Sequence, residues 1–164
     1  PAGKYTAAEM VQELALTAGS KHLVGGQVSD MEGEGAEPSA RQLRFIHESK
    51  TAALLTCSMR LGAMAAGANP GKIDALSQFG QATGLAFQII DDILDITQSS
   101  EKLGKSAGKD LATEKATYPS THGLEKSRRE AARLTEQAIT ALKPLGSKGS
   151  RLREIGSYLL DRDY

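Results

Sequence analysis

The sequence is poor in whatever would staple it covalently or build a sheet. It has one cysteine in 164 residues, which excludes an internal disulfide framework and makes a reducing compartment the simplest setting. Cys57 lies among Ala, Leu and Met and reads as a small packed side chain. Aromatic residues make up 4%, and β-branched residues do not alternate with polar ones, so strand signals are nearly absent. Net charge is absent too: 20 basic residues face 20 acidic ones. The basic excess that marks most nucleic-acid binders is therefore missing. No apolar run approaches the ~20 residues of a membrane span, and no signal peptide is visible. The chain opens Pro1-Ala-Gly-Lys-Tyr5 without an initiator methionine. It reads as the interior of a longer protein, with any targeting signal upstream. The expected location is the cytoplasm, or a plastid if a transit peptide precedes it.

Helical spacing is what remains, in a chain long enough for one domain and 40% apolar, enough for a core. Thr6 with Glu9 three residues on has the spacing of a capping box. The helix after it presents Met10, Val11, Leu14 and Ala15 on one face, and Gly19 or Gly25-Gly26 ends or bends it. Residues Met31 to Pro38 read as an acidic, Gly-rich loop. Ser39 caps a helix through Leu43, Ile46, Lys50 and Leu54 to about Ala66. Gly67 to Gly71 is a turn, and a long apolar helix runs from about Lys72 to Thr97. A polar stretch with Gly104 and Gly108 follows to about Tyr118, and Pro119 limits helix upstream of it. Leu124 to Leu142 is a charged amphipathic helix, Gly146 to Ser150 a linker, and Arg151 to Arg162 a last helix with Leu152, Ile155, Leu159 and Leu160 inward. The expected class is all-α.

Chemistry concentrates in Phe87-Gln-Ile-Ile-Asp-Asp-Ile-Leu-Asp95. Asp91 and Asp95 are four residues apart and Asp92 and Asp95 three apart, spacings that share a helix face. Gln88 stands one turn earlier, and Ile89, Ile90, Ile93, Leu94 and Ile96 surround them, so the helix reads as buried. Adjacent like charges in such a place are unfavourable. Raised pKa values, basic partners or divalent cations would each compensate. Aspartate oxygens suit Mg²⁺, which keeps waters and bridges to phosphate oxygens. No histidine or cysteine accompanies them, as zinc would require. An N-capping role fails because the aspartates lie late in a long helix, where negative charge is disfavoured.

Anionic ligands need cations. Lys105 and Lys115 follow in a Gly-rich segment whose backbone can approach an anion closely, although spacing and context exclude a P-loop. Lys50-Thr51 lies inside an apolar helix, where a lysine either snorkels or pairs with an anion. Gly26-Gln27-Val-Ser-Asp30 adds a further polar group. Each is weak alone.

In order, these segments resemble the carboxyl-terminal half of a trans-isoprenyl diphosphate synthase. The anchors are Gly-Gln with Asp30, His47-Glu-Ser-Lys-Thr51, Phe-Gln-x-x-Asp-Asp-x-x-Asp at 87–95 (the family's second aspartate-rich motif), Gly104-Lys105, Gly108-Lys-Asp110 and Lys115-Ala-Thr-Tyr-Pro119. The resemblance implies an all-α bundle of the isoprenoid synthase type, incomplete here because the first aspartate-rich motif and the isopentenyl diphosphate site would lie upstream. It implies that Asp91, Asp92 and Asp95 hold Mg²⁺, with Asp30 in support. Lys50, Thr51, Gln88, Lys105 and Lys115 would bind the allylic diphosphate, with Asp91, Asp92, Lys50 and Lys105 catalytic. The implied reaction joins an allylic prenyl diphosphate to isopentenyl diphosphate in a homodimeric enzyme, with neither nucleic acid nor a membrane span. Residues 96–110 resemble the geranylgeranyl-producing branch, and farnesyl diphosphate synthases are close neighbours. Other readings are a noncatalytic subunit of a heteromeric prenyl synthase, a terpene cyclase or squalene-type synthase, and a helical interaction module using Lys126 to Arg129. Intact aspartates disfavour the first, and the Gly-Lys and Lys-x-Thr-Tyr-Pro blocks the second. The basic run reads better as a solvated helix face.

Overall fold

A computed structural model describes residues 4–33, 39–103 and 117–160, with backbone alone for 98–103. Among the described residues every regular element is helical. Helix α1 is Ala7–Ala18, opened by Thr6: the Glu9 N–H donates to Thr6 Oγ1 at 3.2 Å, and the Thr6 N–H donates to Glu9 Oε2 at 2.6 Å. The chain breaks at Gly19, and α2 (Leu23–Glu32) carries Gly25 and Gly26 within it. Ser39 caps α3 (Ala40–Ile46) through a second reciprocal box with Gln42. A single π-helical turn, His47–Ala52, joins α3 to α4 (Ala53–Ala65). The long α5 is Pro70–Leu103, 34 residues, or about 50 Å at the rise of an α-helix. A short α6 (Tyr118–His122), α7 (Leu124–Ala141), a 3₁₀ segment (Lys143–Gly149) and α8 (Ser150–Leu160) complete the chain.

Helix α5 is the axis. Ile73, Leu76, Phe79, Ala82, Leu85, Ala86, Ile89, Ile90 and Ile93 are all buried along it, while Asp74, Gln78 and Gln81, at spacings of four and three, leave a solvent-facing strip on its first half. On one side lies α7, which inserts Ala131, Leu134 and Ala138 at spacings of three and four. On the other lie the π turn and α4. Here α5 supplies no side chain at two points. A Cβ on Gly84 would stand 2.5 Å from Ala52 Cα, and one on Gly80 would stand 2.7 Å from Thr56 Cα. The backbones therefore approach more closely than any larger residue allows. Helix α2 meets the π turn in the same way, since a Cβ on Gly26 would lie 2.7 Å from the Lys50 nitrogen. Cys57 is buried, as its neighbours suggested.

Three expectations change. Val11 and Leu14, expected on the apolar face of α1, are 66% and 45% exposed. Ile155, expected inward, is half exposed, while Leu160 is buried. The segment at 146–150, read as a linker, belongs to a 3₁₀ turn whose Gly146 adopts a φ of 58°, a left-handed conformation that glycine reaches without strain.

Candidate functional site

The π turn gathers most of the polar side chains singled out above. Residue 50 ends up over α2 and residue 51 over α5. Lys50 Nζ donates to Asp30 Oδ2 at 2.6 Å, a pair only partly shielded from solvent. Thr51 Oγ1 donates to Gln88 Oε1 at 2.6 Å. Four candidates from three separate segments thus meet at one junction, and the close approach at Gly26 and Gly84 is what brings them within reach. A π turn has one more residue per hydrogen-bonded ring than an α-helix and occurs often at functional sites.

The aspartates of α5 do not form one buried cluster. Asp92 is 4% exposed, Asp91 is half-buried and Asp95 is exposed. A single-residue step turns a helix by about 100°, so Asp91 and Asp95 share a face while Asp92 turns into the protein. The Asp92 carboxylate is engaged there. Its Oδ2 accepts the Tyr118 backbone N–H at 2.7 Å and lies 3.4 Å from His47 Nε2. His47 is buried in turn and stacks over Tyr118, with ring centroids 6.3 Å apart, and Tyr118 stacks on His122 at 4.3 Å. Burial, followed by the nearby Glu130 carboxylate, raises the Tyr118 phenol above its usual range, so the ring stays neutral. His47 stood inside a recognised block but had no role assigned to it. Its partner lies 45 positions away, a pairing that no local spacing reports.

Lys105 and Lys115 lie outside the described residues, as do Gly104, Gly108 and Asp110. Among the described residues no three His, Cys, Asp or Glu side chains converge closely enough to cage a metal. The donors on α5 are carboxylates without nitrogen or sulfur. That set fits Mg²⁺, which is commonly held by one or two carboxylates with waters and phosphate oxygens completing its shell. No described helix is long and apolar enough to cross a membrane. A separate cleft of about 420 Å³, lined by Glu13, His22, Phe45, Glu48 and Cys57 among others, contains none of the residues expected to bind metal or diphosphate. Beside it Arg60 bridges Glu13 at 2.5 Å, a hydrogen bond that holds the guanidinium more firmly protonated and ties α1 to α4.

Known proteins resemble this arrangement throughout. The model of the polyprenyl synthetase family matches residues 3–150. A chloroplastic geranylgeranyl pyrophosphate synthase from Catharanthus roseus is 46% identical over 156 residues, covering 94% of this chain and 44% of the relative. The crystal structure of a putative farnesyl-diphosphate synthase from Marinomonas sp. MED121 superposes with a TM-score of 0.80 at 33% identity, over 94% of this chain and 52% of that one. A geranyltransferase from Helicobacter pylori, crystallised with magnesium and isoprenyl diphosphate, superposes with a TM-score of 0.71 at 32% identity, over 94% and 50%. The chain thus spans about half the length of the proteins it matches. The helices described above have the all-α fold of isoprenyl synthases. A family match across nearly the whole chain, with both sequence and fold in agreement, means that the chain belongs to the polyprenyl synthetase family.

Proposed function

We propose that the polypeptide carrying this chain is a prenyltransferase. It condenses an allylic prenyl diphosphate with isopentenyl diphosphate and releases diphosphate. Geranylgeranyl diphosphate is the favoured product and farnesyl diphosphate the alternative. The observation that carries the proposal is the junction at the π turn, where Lys50, Thr51, Gln88 and Asp30 meet one turn from Asp91. In this reading the chain is the carboxyl-terminal half of one synthase domain and forms one wall of its cavity. The relatives' greater length supports that.

Lys50, with Lys105 and Lys115, binds the diphosphate and stabilises the charge that grows on it as the allylic C–O bond breaks. Such stabilisation counts where charge develops in the transition state. Thr51 and Gln88 orient the same group. Asp91 and Asp95 hold Mg²⁺, with Asp30 in support, and bound Mg²⁺ supplies Lewis-acid neutralisation of the leaving diphosphate. The aspartates serve as ligands, not as acids. After ionisation the isopentenyl double bond attacks the allylic carbon and a proton is lost. The apolar packing of α5 against α4 and α7 keeps water from that carbon. The complete enzyme is proposed to be a homodimer. Its compartment is proposed to be the cytoplasm, or a plastid as the name of the Catharanthus relative suggests.

The test is turnover in the full polypeptide. Asp91→Ala and Lys105→Ala are each expected to lower it by orders of magnitude, with product length read from the wild type by chromatography. Near-wild-type rates in either variant would sink the assignment.

A further inference from the structure

We infer that Asp92 is a positioning residue and not a metal ligand, and that with His47 and the Tyr118 N–H it clamps together the segments that bind the allylic diphosphate. The inference rests on the prenyl-transfer reading above and divides the labour within its aspartate motif.

Three observations carry it. Asp92 and His47 are each at least nine-tenths buried, whereas Asp91 is half-buried and Asp95 exposed. A carboxylate withdrawn from water in this way needs polar partners from the protein: Asp92 Oδ2 accepts a hydrogen bond from Tyr118 N at 2.7 Å and lies within ion-pair range of His47 Nε2 at 3.4 Å. The partners also sit at strategic places. His47 opens the π turn that holds Lys50 and Thr51. Tyr118 follows Lys115 by three residues in sequence and opens α6.

The geometry along α5 makes the clamp specific. Four residues separate His47 from Thr51, and four separate Gln88 from Asp92. The two antiparallel segments are therefore pinned at both ends of a single turn, by His47 with Asp92 and by Thr51 with Gln88. Loss of the first pin lets the π turn rotate about the second and moves Lys50. Loss of the Tyr118 contact frees the start of α6 from α5. A metal ligand would do neither. Ligation through Oδ2 would compete with the Tyr118 N–H for the same oxygen.

The experiment compares Asp91→Asn, Asp95→Asn, Asp92→Asn and His47→Ala in the full polypeptide. Mn²⁺ binding is read by electron paramagnetic resonance in the presence of inorganic diphosphate. Melting temperature is read without metal, and KM and kcat with the allylic substrate. Asp91→Asn and Asp95→Asn are expected to weaken Mn²⁺ binding, and the exposed Asp95→Asn to leave the metal-free melting temperature in place. Asp92→Asn and His47→Ala are expected to lower that temperature by several degrees. They should also raise the allylic KM by about tenfold, the equivalent of one charge-assisted hydrogen bond, and weaken Mn²⁺ binding far less than Asp91→Asn does. His47→Gln, which retains a donor toward Asp92, should recover most of the KM. A merely structural contact would lower the melting temperature and leave KM in place, which overturns the inference. So does a loss of Mn²⁺ affinity in Asp92→Asn equal to that in Asp91→Asn. If Asp92→Asn does not fold, the two His47 variants decide through KM alone. Normal Mn²⁺ binding by Asp91→Asn would instead overturn the metal reading on which the inference stands.

Discussion

At the scale of single residues, the Thr51–Gln88 hydrogen bond is the cleanest element to test, because both groups are half-buried and each is the other's partner. Thr51→Val should cost more than the bond itself, since it leaves the Gln88 amide short of a partner. The double variant Thr51→Val/Gln88→Leu removes both polar groups. A double-mutant cycle on chemical unfolding of the full polypeptide should give a coupling of about 1 kcal/mol, and a coupling near zero would mean that the bond does not persist in solution. Glu130 allows a prediction in pH. The Arg133 hydrogen bond, then the charges of Arg133 and Arg44, hold its carboxyl below the usual range, with burial opposing. A carboxyl lowered in the folded state contributes stability above its unfolded pKa of about 4.3. That contribution is lost as pH falls through the lower folded value. Arg133 is 58% exposed, so the pair is worth only about 0.5 kcal/mol. Glu130→Gln should therefore melt slightly earlier than wild type at pH 7, with the gap closing below about pH 4. A gap that widens in acid would reverse the sign of the argument.

At the scale of elements, helix packing decides where site residues fall. Gly84→Ala would set a methyl carbon 2.5 Å from Ala52 Cα, a backbone atom that cannot step aside. The expected cost is about 1–3 kcal/mol from overpacking, together with a raised allylic KM as α5 moves off the π turn. Gly62→Ala in α4 meets nothing within 4 Å and should be neutral or stabilising by about 0.5–1 kcal/mol. Thermal melts of the two variants check both, and equal effects would remove the packing explanation. This scale also separates what could be read in the sequence from what could not. The caps at Thr6 and Ser39 were legible because a capping box is complete within four residues. The all-α class was legible from periodicity, and the cluster of Lys50, Thr51, Gln88 and Asp30 from the family's motifs. The π turn was not, because an extra residue in a helical ring leaves no mark on composition. The end of α1 at Gly19 was legible as one of two alternatives, but the place of Gly26 inside α2 depends on tertiary packing against Lys50. Helical spacing put all three aspartates near one face. Only the neighbours of α5 determine that Asp92 turns inward to His47 while Asp95 meets solvent.

At the scale of the whole molecule, the described surface is unlike that of a self-sufficient domain. Val11, Leu16, Val24, Val28 and Met31 are between 47% and 66% exposed and all lie on α1 and α2, while the buried core runs along α5 and α7. An apolar face concentrated on two adjacent helices marks an interaction surface. The natural cover is the remainder of the synthase fold or a second subunit, since the matched relatives are about twice this length. On the proposed reading Asp91, Asp95, Lys50 and Gln88 form one side of the cavity, and among the described residues no three His, Cys, Asp or Glu side chains converge on a metal. The isolated residues 1–164 are therefore expected to bind a hydrophobic dye, to self-associate as concentration rises, and to catalyse no measurable prenyl condensation. Joining them to the remaining length of their natural polypeptide should abolish dye binding and restore turnover together, because one set of contacts covers α1 and α2 and brings in the facing half of the site. Light scattering, dye fluorescence and a radiolabelled isopentenyl diphosphate assay on both lengths would measure this. Robust condensation by the 164-residue chain alone would show that a single wall, with its own metal-binding face, is already a complete catalyst.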